Sequence, residues 1–136
     1  MSGERDLDRL LRTMSPQLQD GVFVFCALPS DADIPSALAP RLWFREREGL
    51  TLVVLREEAE RVGLPAQFAS RLITLDVHSA LDAVGFLAAV TTRLAQAGIS
   101  ANAVSAFHHD HLFVPEASAE EALHLLQEMS AQASSS

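Results

Sequence analysis

Apolar and polar positions follow a helical spacing near the start of the chain and an extended spacing soon after it. Leucines and Met14 recur at intervals of three and four residues, which predicts a short amphipathic helix over residues 6–14. The continuous apolar run over residues 22–28 favours a strand buried on both faces. Residues 42–44 and 50–55 predict a hairpin, in which Gly49 supplies a positive φ for the connection.

In the middle of the chain the spacing of the apolar residues changes twice more. A short helix is predicted over residues 57–62, with Gly63 as its C-terminal stop. Alternation from about Arg71 to Val77 then indicates a strand with one buried face. Apolar residues at helical spacing predict a longer helix over residues 81–97, and Gly98 is placed to end it.

A second hairpin and a final helix are predicted from the remaining pattern. Residues 101–107 and 111–114 have strand character, and residues 108–110 connect them. Ser118 and Glu121 have the spacing of a capping box, so a helix is expected from there to about Met129. The serine-rich tail over residues 130–136 is expected to fray.

The order strand, helix, strand, strand, helix in the second half recurs in shorter form in the first half. This duplication predicts an α+β fold of two tandem ferredoxin-like (βαββαβ) modules with antiparallel sheets, divided into residues 1–64 and residues 65–136. Neither half has enough strands to close its own unit. We therefore expect the strand near residues 72–77 to be shared between modules, and we expect the open sheet edge to favour a homodimer.

Composition and charge narrow the class of function. Apolar residues make up 49% of the chain and charged residues 21%, a balance that suits a folded globular protein. The formal charge of −8 repels phosphate backbones and anionic lipid surfaces, so neither nucleic acid nor membrane is an expected partner. One cysteine and no apolar run of signal-peptide or membrane-spanning length favour a reducing, cytoplasmic setting.

The segment from Ile73 to Pro115 resembles the ACT domain family. In that family a strand leads through a short ligand-binding loop into a helix, which ends in a Gly-Ile-Ser or Gly-Ile-Asn type turn. Here the loop is His78-Ser79-Ala80, the helix is predicted to start at Leu81, and the turn is Gly98-Ile99-Ser100. The whole chain is similar to stand-alone two-module ACT proteins. This resemblance implies amino-acid sensing without an attached enzyme, and it implies neither a catalytic residue nor a cofactor.

A ligand site is expected where the predicted helix over residues 81–97 begins. Unpaired backbone N–H groups and the helix dipole favour a carboxylate there, as an amino acid would supply. The resemblance adds the strand after the helix, so the expected ligand-binding residues are His78, Ser79, Ala80, Leu81, Asn102 and Ala103. The alternative is that Ser79 is an ordinary N-cap with Asp82 at the box position, and that Asn102 serves the turn. Gly85, inside the predicted helix, indicates close packing against another element.

The histidines at residues 108–111 leave three interpretations open. Imidazoles beside Asp110 suit a metal ion, but no cysteine or second acidic cluster completes a ligand set. His109 and His111 instead fit a pocket edge or a dimer contact, or the hairpin tip is simply polar. Asp110 lacks a well-placed nucleophile other than Ser105, which argues against catalysis.

These observations predict a dimeric, regulatory amino-acid-binding protein that is not an enzyme. Trp43 and Phe44 lie at strand spacing, and we expect them to fill core rather than to stack on a ligand. One alternative is a structural or partner-binding module without a small-molecule ligand. The other is a metal-binding protein, or a small metal-dependent enzyme, that uses the histidine hairpin.

Overall fold

The computed structural model describes residues 3–135, which pack as two compact units. The first unit contains the described residues up to Asp20 and those from Arg71 onward, and the second is Gly21–Ser70. Packing thus brings the two ends of the chain into one unit. The predicted division into modules of residues 1–64 and residues 65–136 describes the order of modules along the sequence, which is a different question from how the chain packs. That division stays a prediction.

The chain forms four α-helices and seven strands in the part that the structure describes. In chain order they are α1 (Leu7–Thr13), β1 (Pro16–Leu18), β2 (Phe23–Leu28), β3 (Leu42–Arg45), β4 (Leu50–Leu55), α2 (Arg56–Val62), β5 (Gln67–Leu75), α3 (Phe86–Gln96), β6 (Asn102–Ser105), β7 (Asp110–Pro115) and α4 (Ala119–Ser135).

The first unit builds a ferredoxin-like sheet in the order β6-β7-β5-β1. Its βαββα run is β5, α3, β6, β7 and α4, and its last strand is β1, from the other end of the chain. Gln17 lies beside Thr74 where β1 pairs antiparallel with β5. The sequence pattern did not predict β1, because three residues are too short to show alternation.

The second unit has the matching strand order, β3-β4-β2-β5. Its first connection, residues 29–41, contains no helix. β5 takes part in both units: Gln67 and Ser70 pair with β2, whereas residues 73–75 pair with β1. The expected α+β fold with tandem ferredoxin-like modules and a shared strand is confirmed.

Each unit covers one face of its sheet with apolar residues. In the first unit, Leu10 and Met14 of the N-terminal helix segment join residues of α3, α4 and the sheet in one buried cluster. In the second, the buried cluster includes Val24, Leu52 and Ala59 of the sheet and α2, together with Leu38 from the long connection. The short helix α1 is therefore part of a core to which residues more than 100 positions away contribute.

The observed start of α3 differs from the predicted start, whereas its observed end agrees with the prediction. It begins at Phe86, five residues later than predicted, because Gly85 has a φ of 92° and serves as the N-cap. Leu81 and Val84, whose helical spacing predicts that they are buried, are 55% and 85% exposed. At the other end Gly98 has a φ of 75°. Ile99 N–H donates to the Leu94 carbonyl there, as in a Schellman motif.

Two β-strand expectations are also wrong. β5 is buried on both faces at its C-terminal end, since residues 72–75 are all buried. Side chains of neighbouring strands cover the face opposite the core, as His111 of β7 does at 3.0 Å from the Thr74 hydroxyl. Trp43 and Phe44 do not fill core: they are 53% and 66% exposed on β3, an edge strand of its unit.

The remaining differences concern a turn and the C-terminal tail. Gly49 does not have a positive φ, and a Cβ there would lie 2.9 Å from the Leu28 carbonyl oxygen, so close approach explains the glycine. Residues 130–135 continue α4 rather than fray, and the Ser130 hydroxyl donates to the Arg12 carbonyl at 3.0 Å. Ser136, the end of the predicted tail, lies outside the described residues.

Candidate functional site

A small cavity lies in the first unit where α3 begins. Its volume is about 50 Å³, enough for roughly three to five water molecules. The walls come from the loop after β5, the first turn of α3, and the hairpin of β6 and β7. The lining residues are Ser79, Ala80, Leu81, Ala83, Phe86, Leu87, Ser105, Ala106 and Asp110.

The first turn of α3 presents backbone donors at this cavity. The first hydrogen bond within the helix runs from Ala89 N–H to the Gly85 carbonyl at 2.9 Å, so the amides of residues 86–88 precede the helical ladder. Gly85 has no side chain that could cap them. Because Phe86 and Leu87 line the cavity, this end of the helix offers a site that favours negative charge.

Asp110 places a carboxylate in the same cavity. It is 5% exposed at the start of β7, and its Oδ2 accepts a hydrogen bond from the Ser79 hydroxyl at 3.1 Å. Its Oδ1 accepts none from residues 3–135. The cavity therefore combines a negatively charged side chain with the positive end of a helix.

The N-terminal segment holds the loop that precedes α3. Glu4 N–H donates to the His78 carbonyl at 2.7 Å, and Ala80 N–H donates to the Glu4 carbonyl at 2.8 Å. Arg5 forms an ion pair with Asp82 at 3.0 Å. The alternative capping box of Ser79 and Asp82 is therefore wrong, because each of these side chains has a different partner.

The structure brings together some of the residues expected at the site. Ser79, Ala80 and Leu81 line the cavity. The His78 ring lies outside the lining, with its centroid 6.3 Å from that of Phe107 and 5.6 Å from that of His108. Gly85 adjoins the lining as the N-cap of α3, instead of lying within the helix.

Asn102 and Ala103 do not line this cavity. Asn102 lies beside Phe113 and Ser105 lies beside Asp110 in the β6–β7 pair. Because side chains alternate along a strand, Asn102 is on the sheet face opposite that of Ser105 and Asp110. The role expected for Asn102 and Ala103 stays a prediction. The sequence pattern places Asp110 only in the histidine cluster, and no local signal indicates Phe86, Leu87 or Ala106 as site residues.

The two histidines proposed for a pocket edge or an interface point to other partners. His109 Nδ1 lies 3.2 Å from the Val77 carbonyl, and its Nε2 lies 3.7 Å from an oxygen of Asp76. His111 Nδ1 lies 3.0 Å from the Thr74 hydroxyl. Neither lines the cavity, and within residues 3–135 no group of three or more His, Cys, Asp or Glu residues is arranged to hold a metal ion.

Across residues 3–135, no helix has both the length and the apolar character that crossing a bilayer needs.

Comparisons with known proteins agree with this architecture. Two family models, each described as ACT domain, match residues 2–71 and residues 67–128. No protein of curated function matches the chain. A crystal structure from Vibrio cholerae, of a protein of unknown function described as a possible transport protein, is 45% identical with a TM-score of 0.81. That alignment covers 91% of this chain and 95% of the other.

Two more distant structures share the fold. A protein from Agrobacterium tumefaciens is 21% identical with a TM-score of 0.73, over 85% of this chain and 87% of its own. The regulatory subunit of aspartate kinase from Thermus flavus is 13% identical with a TM-score of 0.59, over 84% of this chain and 95% of its own. The two family matches and the 45% identical relative show that the chain belongs to the ACT domain family.

Proposed function

We propose that this protein is a regulatory ACT protein that binds a small α-amino acid in the cavity at the start of α3 and has no catalytic activity of its own. Membership in the ACT domain family supports a regulatory, ligand-binding role. The observation that carries the proposal is that the Asp110 carboxylate and the first turn of α3 line one cavity.

The charges of the cavity complement a zwitterion. The amides of residues 86–88, which precede the helical ladder, and the helix dipole suit a carboxylate. The Asp110 oxygen that receives no hydrogen bond suits an ammonium group, and charge-assisted hydrogen bonds of this kind are stronger than neutral ones. An α-amino acid carries both groups on adjacent carbon atoms.

The size of the cavity favours a small ligand side chain. About 50 Å³ is available, and the apolar side chains of Leu81, Phe86 and Leu87 bound it. Leu81 is 55% exposed, so its side chain can move without disturbing the core. We therefore expect a preference for small or short apolar amino acids.

A ligand panel tests this function. The full chain is screened for thermal stabilisation by each of the twenty amino acids, since a ligand at 100 times its Kd stabilises the folded state by about 2.7 kcal/mol. For the best ligand, calorimetry compares the free amino acid with its N-acetyl and its amide derivatives. We expect each derivative to bind at least about tenfold more weakly. No stabilisation by any amino acid, or equal binding of the N-acetyl derivative, would contradict the proposal.

A homodimer and a cytoplasmic setting belong to the same proposal. β3 and β6 are the edge strands of their units, and unpaired strand edges favour association with another chain. Trp43 and Phe44 make the β3 edge apolar as well as unpaired, so β3 is the expected contact. The cytoplasmic setting rests on Cys26, a free buried thiol.

A partner-binding protein without a small-molecule ligand is the second candidate. Leu81, Val84 and Phe107 are each more than half exposed near the cavity, and exposed apolar patches often mark protein contacts. Under this hypothesis the apolar residues bind another chain directly. Loss of binding to that partner on Val84→Asp, together with a negative amino-acid panel, would favour this candidate over the first.

A further inference from the structure

A second and larger cavity lies in the second unit, away from the loop and helix considered so far. Its volume is about 430 Å³, within the range of about 300–1,000 Å³ that is typical of small-molecule sites. It is bounded by β2, by Thr51 of β4 and by the segment that leads into β5. None of its lining side chains carries a formal charge.

A bulge in β5 lies next to this cavity. Phe23 pairs with Ser70 and Phe25 pairs with Gln67, so two residues of β5 stand opposite Val24 alone. At the bulge Phe68 has a φ of 58°, a left-handed conformation that is rare for an aromatic residue. The Phe68 ring packs edge-on against Phe25 at 5.8 Å between centroids. Strain of this kind concentrates at functional sites.

Because β5 begins only at Gln67, one residue of β2 has backbone groups without a strand partner. Arg56 N–H donates to the carbonyl of Val22, the residue before β2, so Val24 and Cys26 of β2 also direct their backbone groups toward β4. Phe23, Phe25 and Ala27 therefore face the other way, as the bond from the Ser70 hydroxyl to the Phe23 carbonyl also indicates. β5 begins at Gln67, beside Phe25. Ala27 N–H and C=O thus have no partner among the described residues.

We propose that this cavity binds an uncharged planar heterocycle whose edge carries a hydrogen-bond donor next to an acceptor, as a purine base does. Ala27 supplies one backbone donor and one backbone acceptor on the same strand edge, which matches such an edge. Phe25 and Pro65 supply apolar surface for a flat ring. The Thr51 hydroxyl donates to Glu46 at 2.6 Å, so its oxygen remains an acceptor for a further N–H of the ligand.

Two other ligand classes fit these observations less well. An extended peptide would need several backbone pairs, but β2 ends at Leu28 and Pro29 follows, so Ala27 alone is available. A nucleotide would bring phosphate to a cavity without a basic lining residue, in a chain of formal charge −8. The chemistry therefore favours the neutral base or its nucleoside.

Titration of the full, ¹⁵N-labelled chain with adenine tests this site. The amide signals of Ala27 and Gln67 are followed by NMR, and the Kd is taken from their shifts. 9-Methylpurine, which lacks the exocyclic amino donor and whose methyl group blocks the ring N–H, and adenosine monophosphate, which adds a ribose and a dianionic phosphate, are the comparison ligands. We expect adenine to shift both amides, and 9-methylpurine to bind at least about tenfold more weakly because it has no hydrogen-bond donor.

Variants at Ala27 separate the backbone donor from the side chain. Ala27→Pro removes an N–H that has no strand partner and fixes φ at a value that a free strand edge tolerates, so we expect the fold to persist and the adenine Kd to rise about tenfold. Ala27→Ser keeps the backbone N–H and is the matched control, so its adenine Kd should stay closer to that of the parent chain than the Kd of Ala27→Pro does.

Three results would overturn the proposal: no shift of these amides at millimolar adenine, equal binding of 9-methylpurine, or tighter binding of the monophosphate. The ligand comparison decides the question even if the proline variant does not fold.

Discussion

The Ser79 hydroxyl donates a hydrogen bond to Oδ2 of Asp110 at 3.1 Å, and both side chains line the cavity at the start of α3. This bond orients the carboxylate and directs one of its oxygens away from the serine. Removing Asp110 and removing Ser79 should therefore have different effects on ligand binding. Loss of Asp110 removes the charge, whereas loss of Ser79 removes only its orientation.

Asp110→Asn keeps the shape of the side chain and removes its negative charge. We expect the Kd of the bound amino acid to rise about ten- to 100-fold, since a hydrogen bond to a charged group contributes about 1.5–3 kcal/mol. Isothermal calorimetry measures the change. Ser79→Ala is the matched control and should cost less affinity. An unchanged Kd in the asparagine variant would exclude Asp110 as the ammonium partner.

Gly3→Ala should release the N-terminal segment from the loop. Gly3 has a φ of 99°, and an added Cβ would lie 2.6 Å from the backbone nitrogen of Ala80. We expect the Ala80 amide, which donates to the Glu4 carbonyl, to exchange with solvent faster in hydrogen-exchange experiments.

Gly63→Ala provides the control for this experiment. Gly63 also has a positive φ, 71°, but nothing lies within 4 Å of an added Cβ. The change should destabilise the protein by about 1–2 kcal/mol through backbone strain alone. Local exchange at Ala80 should stay the same relative to global unfolding, and equal effects of the two variants would contradict the proposed contact.

Leu10→Ala tests whether α1 belongs to the core of the first unit. Leu10 is 0% exposed in the cluster that contains Leu126 of α4, so truncation should cost about 2–5 kcal/mol of unfolding free energy. Chemical denaturation measures this cost. Leu81→Ala, at a position that is 55% exposed, should change stability by less than about 0.5 kcal/mol. A small effect at Leu10 would mean that α1 is not docked in solution.

Cys26 gives the protein a pH dependence in the alkaline range. Burial raises the pKa of the Cys26 thiol above its ordinary value of 9.0. Above pH 9 the unfolded chain releases this proton first, so the free energy of unfolding should fall as the pH rises there, with no effect below. Denaturant melts at several pH values measure this trend. Cys26→Ala should remove this component, and an identical alkaline slope in both proteins would show that other groups cause it.

Trp43 reports on association through the β3 edge. It is the sole tryptophan of the chain and is 53% exposed, so acrylamide should quench its fluorescence readily in dilute solution. If β3 forms the dimer contact, quenching should weaken as the protein concentration rises. Sedimentation measured on the same samples gives the oligomeric state. A dimer whose tryptophan stays fully accessible would place the contact elsewhere.

The sequence predicted the ends of helices correctly where a single residue determines the local backbone conformation. Gly63 and Gly98 end their helices with positive φ values, as their positions after an apolar stripe indicated. The two hairpins also follow from strand propensity and connection length. The start of α3 was mispredicted because Leu81 and Val84 continue the helical spacing, whereas the backbone at Gly85 interrupts it.

The candidate site depended on relationships that no local pattern contains. Asp110 reaches the cavity because β7 starts beside the loop after β5, and that pairing joins residues about thirty positions apart, as in the bond to Ser79. The free backbone groups at Ala27 depend on where β5 begins relative to β2. Strand register fixes both arrangements, and register is set by the packing of the whole sheet.

The position of α1 in the core has a consequence for folding during translation. Its partner helix α4 is translated more than 100 residues after α1, so Leu10 and Met14 emerge from the ribosome long before the α4 residues that bury them. Residues 21–70 form a compact unit, and all of this unit is translated before α4 begins. The amino-terminal segment must wait, and in the interval its apolar side chains are available to chaperones.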